Sequence, residues 1–290
     1  MTPARIASAL AVFTVLGIAL VVAQPSLTPP AGPVIESGRF GTLIEINNET
    51  APPDGLHRHV ITRPGSYILT GDVEARDMNG ILVDADNVTI DLNGFTVDGR
   101  GPAGVTVPDP SVDPGREIRG LTVRNGRIVG FETGVRGRRS TSGGTPTEFR
   151  GVDLEDLEIR SALIGIGVRE AQIRGCTVYA ESIGIDASES LVESCLVFIE
   201  DREPGGAGGL PRVGVRVQRS TVEGTRVRIP SELVASTGYL SSGGNIFRGC
   251  AVVTGGRGFN IGGSIADGCL SQAGDGNTVP LGALTFDSNF

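Results

Sequence analysis

A repeat of 19 residues is the feature of this sequence that most limits how it can fold. Cys176 and Cys195 stand 19 residues apart, and Cys250 and Cys269 have the same spacing in similar local sequences. We place the same position of the repeat at Phe95, Leu121, Leu157 and Thr225, with gaps of 19 to 36 residues. A 19-residue unit with insertions explains these gaps, and it is too short for the paired helices of ankyrin or TPR repeats.

Hydrophobic and polar residues alternate within the repeat. Val88 and Ile90, for example, are separated by Thr89. Such a period of two predicts short strands with one buried face. A Gly followed by Val or Ile forms a second marker, which we find at Gly134, Gly167, Gly184 and Gly214. Each unit is therefore predicted to be one coil of two or three strands, and the stacked coils form an all-β parallel solenoid.

Two stretches carry a resemblance to a known family. They are PGSYILTGDV at Pro64 to Val73 and GILVDADNVTIDLNGFTVDG at Gly80 to Gly99, and the coils that follow continue the pattern. Over residues 63–269 the chain resembles the secreted β-helix proteins of the pectin-lyase-like superfamily, in particular a planctomycete-type bacterial group of unassigned activity. The resemblance implies a right-handed parallel β-helix, here of about eight coils with an N-terminal cap. Its motifs carry no catalytic signature.

The chain is predicted to have five segments. One positive charge at Arg5, an apolar run over 6–23 and small residues at Val21 and Ala23 predict a signal peptide at 1–23. A retained membrane anchor is the alternative, since the apolar run is just long enough to span a bilayer. We expect a Pro-rich linker at 24–33, an N-terminal strand and cap segment at 34–77, the β-helix at 78–275 and a C-terminal tail at 276–290. The protein is then secreted, periplasmic or on the cell surface.

The composition excludes several chemistries. All 25 basic residues are Arg, there is no Trp, and only two His occur. Lysine-based catalysis and His-rich metal sites are therefore ruled out. The formal net charge of −8 argues against nucleic acid as a partner, and we expect no membrane contact beyond the signal segment.

The insertions in the repeat predict two clusters of lateral loops. Two early coils are extended at 106–117 and 137–150, and two later coils at 200–212 and 229–242. The loops of each pair come from consecutive coils, so they are expected to be neighbours. Solenoids often bind ligands through such loops, although loops are also the places that tolerate insertions.

Arginines concentrate in these loops and suggest a ligand. The side chains that we take as candidates for binding the carboxylates of an acidic polysaccharide are Arg138, Arg139, Arg150, Arg202 and Arg212. The planar guanidinium binds a carboxylate through two parallel hydrogen bonds. Acidic residues lie in the same regions, so ion pairs within the protein are the alternative.

The resemblance also raises catalytic and metal-binding candidates. Uronide lyases of this superfamily hold Ca²⁺ on Asp clusters, for which Asp84, Asp86 and Asp91 are the candidates here; solvated turn carboxylates are the alternative. Asp91 is also a catalytic candidate, and Asp153 with Asp186 is a candidate pair for an inverting hydrolase. No cofactor is expected, apart from Ca²⁺ if the chain is a lyase.

Two further features leave alternatives open. His57 and His59 have the spacing at which side chains of a strand point the same way, so they either have a surface or capping role or ligate a metal with Asp54 or Glu49. The four Cys either form disulfides, as in many exported proteins, or fill the core as a ladder of small apolar side chains.

The function expected from the sequence is that of an exported, non-catalytic β-helix protein that presents lateral loops. Its role is structural or binding, outside the cell or in the envelope, and acidic glycans are the expected class of ligand. The alternative is a polysaccharide-processing enzyme, either a Ca²⁺-dependent uronide lyase or an inverting glycoside hydrolase, that uses Asp and Arg side chains.

Overall fold

Strands joined by turns make up the part of the chain described by the structure, a computed structural model. It describes residues 43–50, 53–111, 113–139, 145–200, 212–230, 233 and 236–272, and the backbone of 278–281 and 284–285. The predicted signal peptide and linker and the candidate Arg202 lie outside these residues. No helix occurs in the described ranges, and they hold none long and apolar enough to cross a membrane.

Each coil of the solenoid has three strands, one on each of three faces. The first face consists of β2 (His57–Ile61), β5 (Asn79–Val83), β8 (Ala103–Thr106), β11 (Thr133–Arg136), β15 (Ile164–Arg169), β18 (Ile183–Ser188), β21 (Arg212–Gln218), β24 (Ser236–Ser241) and β27 (Arg257–Asn260). The second face consists of β1 (Ile44–Ile46), β3 (Gly65–Leu69), β6 (Val88–Asp91), the first halves of β10 (Leu121–Val129) and β14 (Val152–Ser161), β16 (Ala171–Arg174), β19 (Leu191–Glu193), β22 (Thr221–Glu223), β25 (Ile246–Arg248) and β28 (Ile265–Asp267). The third face consists of β4 (Val73–Arg76), β7 (Thr96–Gly99), the second halves of β10 and β14, β17 (Thr177–Ala180), β20 (Leu196–Ile199), β23 (Arg226–Arg228), β26 (Ala251–Val253) and β29 (Cys269–Gln272).

Neighbouring coils pair in parallel and in register. Along the first face Val135 pairs with Ile166, Ile166 with Ile185, and Ile185 with Val215. The predicted parallel β-helix is confirmed, with nine coils on the first face where about eight were expected. Connections between parallel strands are right-handed in nearly all proteins, which is the sense that the resemblance implies.

The solenoid starts earlier than the predicted boundary at residue 78. Strands β2, β3 and β4 pair in parallel with β5, β6 and β7 and form a complete first coil. Among the described residues, β1 is the one strand that precedes this coil as a cap, and it pairs with β3. At the other end β30 (Thr278–Leu281) and β31 (Leu284–Thr285) pair antiparallel with β29 and β28, so they cover the edge of the last coil.

The core is a set of stacked aliphatic side chains. Ile166, Ile185 and Val215 follow one another along the first face and are fully buried, as are Val178 and Ile173 on the other two faces. Because register partners on parallel strands point the same way, each coil buries its apolar side chains against like side chains above and below. The alternation in the sequence therefore predicts the buried face correctly.

A ladder of glycines brings the first face close to the third. It has one member in each coil from the second to the ninth, namely Gly80, Gly104, Gly134, Gly165, Gly184, Gly214, Gly238 and Gly258. A Cβ on Gly165 would lie 2.1 Å from Cγ1 of Val178 in its own coil and 2.5 Å from the carbonyl oxygen of Gly184 in the next. These separations are far below van der Waals contact, so only glycine fits where the backbone approaches so closely.

Two markers of the repeat occupy other positions in the structure than the sequence predicts. Gly167 is not part of the glycine ladder, because Gly165 holds that position and Gly167 pairs with Arg136 and Asp186 instead. Leu121 pairs with Val88 on the second face. The insertions differ in length from coil to coil, so the sequence alone misaligns these repeat units. The strand pairing between coils gives the correct alignment.

The four cysteines are free thiols and are buried. They lie at the same corner of the core, where the amide of Leu196 donates to the carbonyl of Cys176 and the amide of Leu270 donates to that of Cys250, at 2.9 and 2.8 Å. Of the two alternatives left by the sequence, the structure therefore has the buried ladder rather than disulfides.

The first predicted loop cluster forms a small lateral sheet. Strand β13 (Thr147–Arg150) pairs in parallel with β9 (Glu117–Arg119) and antiparallel with β12 (Arg138–Arg139). The two loops are thus neighbours, as their positions on consecutive coils predicted. Most of the second predicted cluster lies outside the described residues.

Two glycines of one strand provide a test of the ladder. We expect Gly165→Ala to lower the free energy of unfolding by about 3 kcal/mol, since the added methyl group overpacks the core. Gly167→Ala on the same strand is expected to change it by less than about 0.5 kcal/mol, because its Cβ meets nothing closer than 3.9 Å. Urea unfolding of the three proteins measures both effects, and equal stability of the two variants would refute the ladder.

Candidate functional site: an arginine-lined groove

A groove of about 580 Å³ runs along the outside of the first face. Its floor comes from β11, β15, β18 and β21, which belong to four consecutive coils, and β12 of the lateral sheet contributes to one wall. Since coils are spaced by about 4.8 Å, the floor extends over roughly 14 Å. The groove therefore offers an elongated surface on a rigid support.

Among the described residues that line this groove, five are arginines and one, Asp186, is acidic. The arginines are Arg136, Arg138, Arg169, Arg216 and Arg219. The whole chain carries a formal net charge of −8, so a local excess of cations stands out from the rest of the surface. Anions are the ligands that such a groove attracts.

A gap in the column of outward side chains opens the groove at its centre. Arg136, Gly167, Asp186 and Arg216 are successive register partners on the first face. Gly167 contributes no side chain, and a Cβ built there would be 3.9 Å from the nearest atom of another residue. We call the space between Arg136 and Asp186 the Gly167 notch.

The two arginines of this column have different surroundings. Arg216 Nε donates to Asp186 Oδ1 at 2.9 Å, with a second bond from Nη2 to the other oxygen, and these hydrogen bonds raise the pKa of Arg216. Arg136 instead donates to the carbonyl of Pro102 and to the Thr133 hydroxyl, and its burial lowers its pKa. An arginine remains protonated despite such a shift. The guanidinium of Arg136 thus has neutral hydrogen-bond acceptors, and the residue lines the groove beside the notch.

Two arginines at one side of the groove share a carboxylate. Glu189 accepts hydrogen bonds from Arg169, at 2.8 Å, and from Arg219. The hydrogen bond from Arg169 is the main reason why the pKa of Glu189 is lowered. Both guanidinium groups are therefore held in fixed positions beside the groove.

Glu148 on β13 ties the lateral sheet to the first face. Its side chain is only 5% exposed, and its oxygens lie 2.6 Å from Arg150, 3.7 Å from Arg138 and 3.9 Å from Arg169. Arg150 also contacts Glu117 and Glu170. This network joins the wall of the groove to its floor.

The predicted binding arginines do not all reach the groove. Arg138 lines it, but Arg139 pairs with Asp109 at 2.6 Å, and Arg150 is engaged in the Glu148 network. Arg212 is half-buried at the start of β21 and has interactions of its own. For Arg139 and Arg150 the structure thus favours the alternative of internal ion pairs.

Arg169 and Gly167 are the groove residues that sequence reasoning missed. Both follow from the parity of β15, on which Gly167 and Arg169 alternate with the buried Ile166 and Val168. This alternation is visible in the sequence, but the prediction that Gly167 belongs to the glycine marker hides its place on the outer surface.

The catalytic candidates lie on different faces. Asp153 is on β14 in the second face, where Arg174 Nη2 lies 3.0 Å away, whereas Asp186 is on β18 in the first face. The structure therefore does not bring them together as an inverting pair, because the chain turns a corner between these faces. Asp91 contacts Arg124 at 3.1 Å.

The metal-binding candidates have protein partners. Asp84 lies 2.8 Å from Arg116 Nε, and Asp86 accepts a hydrogen bond from the amide of Arg119 at 2.8 Å. In the part of the chain that the structure describes, no group of three or more His, Cys, Asp or Glu side chains is arranged to hold a metal ion.

The role of Glu148 can be tested by removing its charge. We expect Glu148→Gln to lower the free energy of unfolding by about 2 kcal/mol, because the hydrogen bond from Arg150 loses its charged acceptor and the nearby guanidinium groups lose a buried counter-charge. The matched control is Glu158→Gln, since Glu158 pairs with Arg160 but is 39% exposed and is expected to contribute less than about 0.5 kcal/mol. Urea unfolding measures the stability of both variants. Similar small losses of stability would contradict the role of Glu148 in joining the lateral sheet to the first face.

Comparison with known proteins assigns no family to this chain. No protein-family model matches it, and no curated protein matches it in sequence. The structure establishes the parallel β-helix, and the groove on its first face is the feature that points to a function.

Proposed function

We propose that this chain is an exported, non-catalytic β-helix protein that binds an acidic polysaccharide in the arginine-lined groove. The observation that carries the proposal is the Gly167 notch, which lies beside Arg136, an arginine of the groove whose guanidinium has neutral hydrogen-bond acceptors. The resemblance to secreted pectin-lyase-like proteins and the predicted signal peptide support a location outside the cytoplasm.

The chemistry of the groove favours carboxylates on a polymer. A carboxylate accepts two parallel hydrogen bonds from one guanidinium, which is the geometry that arginine offers and lysine lacks. Arg136 and Arg216 are three coils apart, or roughly 14 Å, so one extended ligand can contact both. A uronic acid polymer has regularly spaced carboxylates along a stiff chain and fits this arrangement.

The fixed side chains around the groove favour binding without large rearrangement. Asp186 holds Arg216, and Glu189 holds Arg169 and Arg219. Ordering these long side chains on binding would otherwise reduce the affinity. The same ion pairs limit the net positive charge, which favours a moderate affinity and weakens the case for nucleic acid as a partner.

A pair of variants at the notch tests the proposal. We expect the wild type and Gly167→Ala to bind polygalacturonate with similar affinity, and Gly167→Glu to bind at least tenfold more weakly, since its carboxylate occupies the notch and repels the ligand. Isothermal titration calorimetry at low salt measures the affinities, with a neutral glucan as the control polymer.

Two outcomes of this titration would overturn the proposal. One is equal binding of the neutral and acidic polymers. The other is undiminished binding by Gly167→Glu, once its circular dichroism spectrum matches that of the wild type.

A second candidate function is catalysis at Asp153. Arg174 contacts both Asp153 and Glu155, at 3.0 and 2.7 Å. Partial burial, with the neighbouring Glu155, raises the pKa of Asp153, and a carboxyl group with a raised pKa is better suited to general acid catalysis. This cluster is the observation that supports the alternative of a polysaccharide-processing enzyme that uses Asp and Arg side chains.

Product analysis distinguishes the two functions. Polygalacturonate is incubated with the protein, with and without Ca²⁺, and reducing ends and unsaturated products are measured. Our proposal predicts no product above the buffer control. Turnover that is abolished by Asp153→Asn would establish the enzymatic alternative instead.

A further inference from the structure

The only two histidines of the chain lie side by side within the first coil. His57 and His59 are 7% and 8% exposed, and on β2 they alternate with the half-buried Arg58 and Val60. Both imidazoles therefore point into the solenoid, on the same side as Ile61. This placement excludes the surface role considered for them and leaves the question of what two imidazoles do in an apolar interior.

Asp54 fixes one of the two rings. Its Oδ2 lies 2.9 Å from His57 Nδ1, and its Oδ1 accepts hydrogen bonds from the backbone amides of Leu56 and His57. A carboxylate at this position favours the imidazole tautomer with its proton on Nδ1, which leaves the lone pair of His57 on Nε2.

Three buried acceptor atoms at this place lack a hydrogen-bond partner among the described residues. They are His57 Nε2, His59 Nδ1 and Asn79 Oδ1. Asn79 on β5 is the register partner of His57, and Ile81 that of His59, so the three side chains leave their strands on the same side. Leaving such atoms unpaired in the interior costs free energy.

A cation satisfies all three atoms at once when each imidazole carries its proton on its other nitrogen. The ion then accepts one electron pair from each of the three atoms. His57 and His59 are roughly 6.6 Å apart along the strand, a spacing at which two imidazoles can reach one ion. A carboxylate on the far nitrogen of a ligand histidine is a recurrent second layer of such sites, and Asp54 holds that position.

The ligand set selects the kind of metal. Two imidazole nitrogens favour Zn²⁺ and its neighbours over Ca²⁺ or Mg²⁺, which prefer oxygen. The amide oxygen of Asn79 is a third ligand.

We propose that His57, His59 and Asn79 form a binding site for one Zn²⁺-like divalent metal ion inside the first coil. The ion links β2 to β5 and so fastens the N-terminal end of the solenoid. The site is independent of the groove and of the function proposed for it, because it lies in the first two coils on the inner side of the sheet.

The test uses the full chain, stripped of metal by a chelator and titrated with ZnCl₂. Because the chain has only two histidines, ring-nitrogen NMR assigns the ligands directly. We expect one ion per chain, shifts of the ring nitrogens of both histidines, and a higher melting temperature with Zn²⁺ but not with MgCl₂ or CaCl₂. His59→Gln is expected to abolish binding, and Arg58→Gln, on the same strand, to retain it.

Cobalt provides a readout that does not depend on any variant. CoCl₂ is expected to give absorption bands typical of nitrogen and oxygen ligands without the intense near-ultraviolet band of a thiolate. A thiolate band would move the site to the buried cysteines and overturn the proposal. So would ring-nitrogen resonances that do not move at one equivalent of Zn²⁺, or full Zn²⁺ binding by a folded His59→Gln variant.

Discussion

The close approach of the first face to the third is the constraint on which the rest of this structure depends. At each ladder glycine from Gly80 to Gly238 the backbone lies against a side chain of its own coil and a carbonyl of the next. This contact fixes how far each coil can be from its neighbour and which residues come into register. Since the register then decides which outward side chains meet, a packing constraint in the interior controls the chemistry of the surface.

The contrast between two outer faces shows how register produces a site. On the second face Asp91, Arg124, Glu155 and Arg174 are successive register partners, so opposite charges alternate and neutralise one another. On the first face a glycine stands next to Arg136, where an acidic residue would continue such an alternation. The groove is thus a place where the internal pairing of charges is interrupted, which is why a ligand with its own carboxylates is the proposed occupant.

The sequence predicts the fold well because its signals are local. Alternation at Val88 and Ile90 identifies strands, and the spacing of Cys176 and Cys195 identifies one coil. The groove is less predictable, because Arg136, Gly167 and Asp186 are 31 and 19 residues apart and only the register between coils aligns them. Loop arginines such as Arg150 are numerous in the sequence. Whether they are available to a ligand depends on their acidic partners, and residues from other coils are among these partners.

The central claim is that the arginines of the first face bind an acidic polymer. Because every basic side chain is an arginine, modification with phenylglyoxal and mass spectrometry reports on all cations of the protein. Arg138 and Arg219 in the groove and Arg248 on the second face have similarly exposed side chains, at 57%, 60% and 58%. We expect polygalacturonate to protect Arg138 and Arg219 from modification and to leave Arg248 as reactive as before. Equal protection of all three arginines, or protection of Arg248 alone, would contradict binding in the groove.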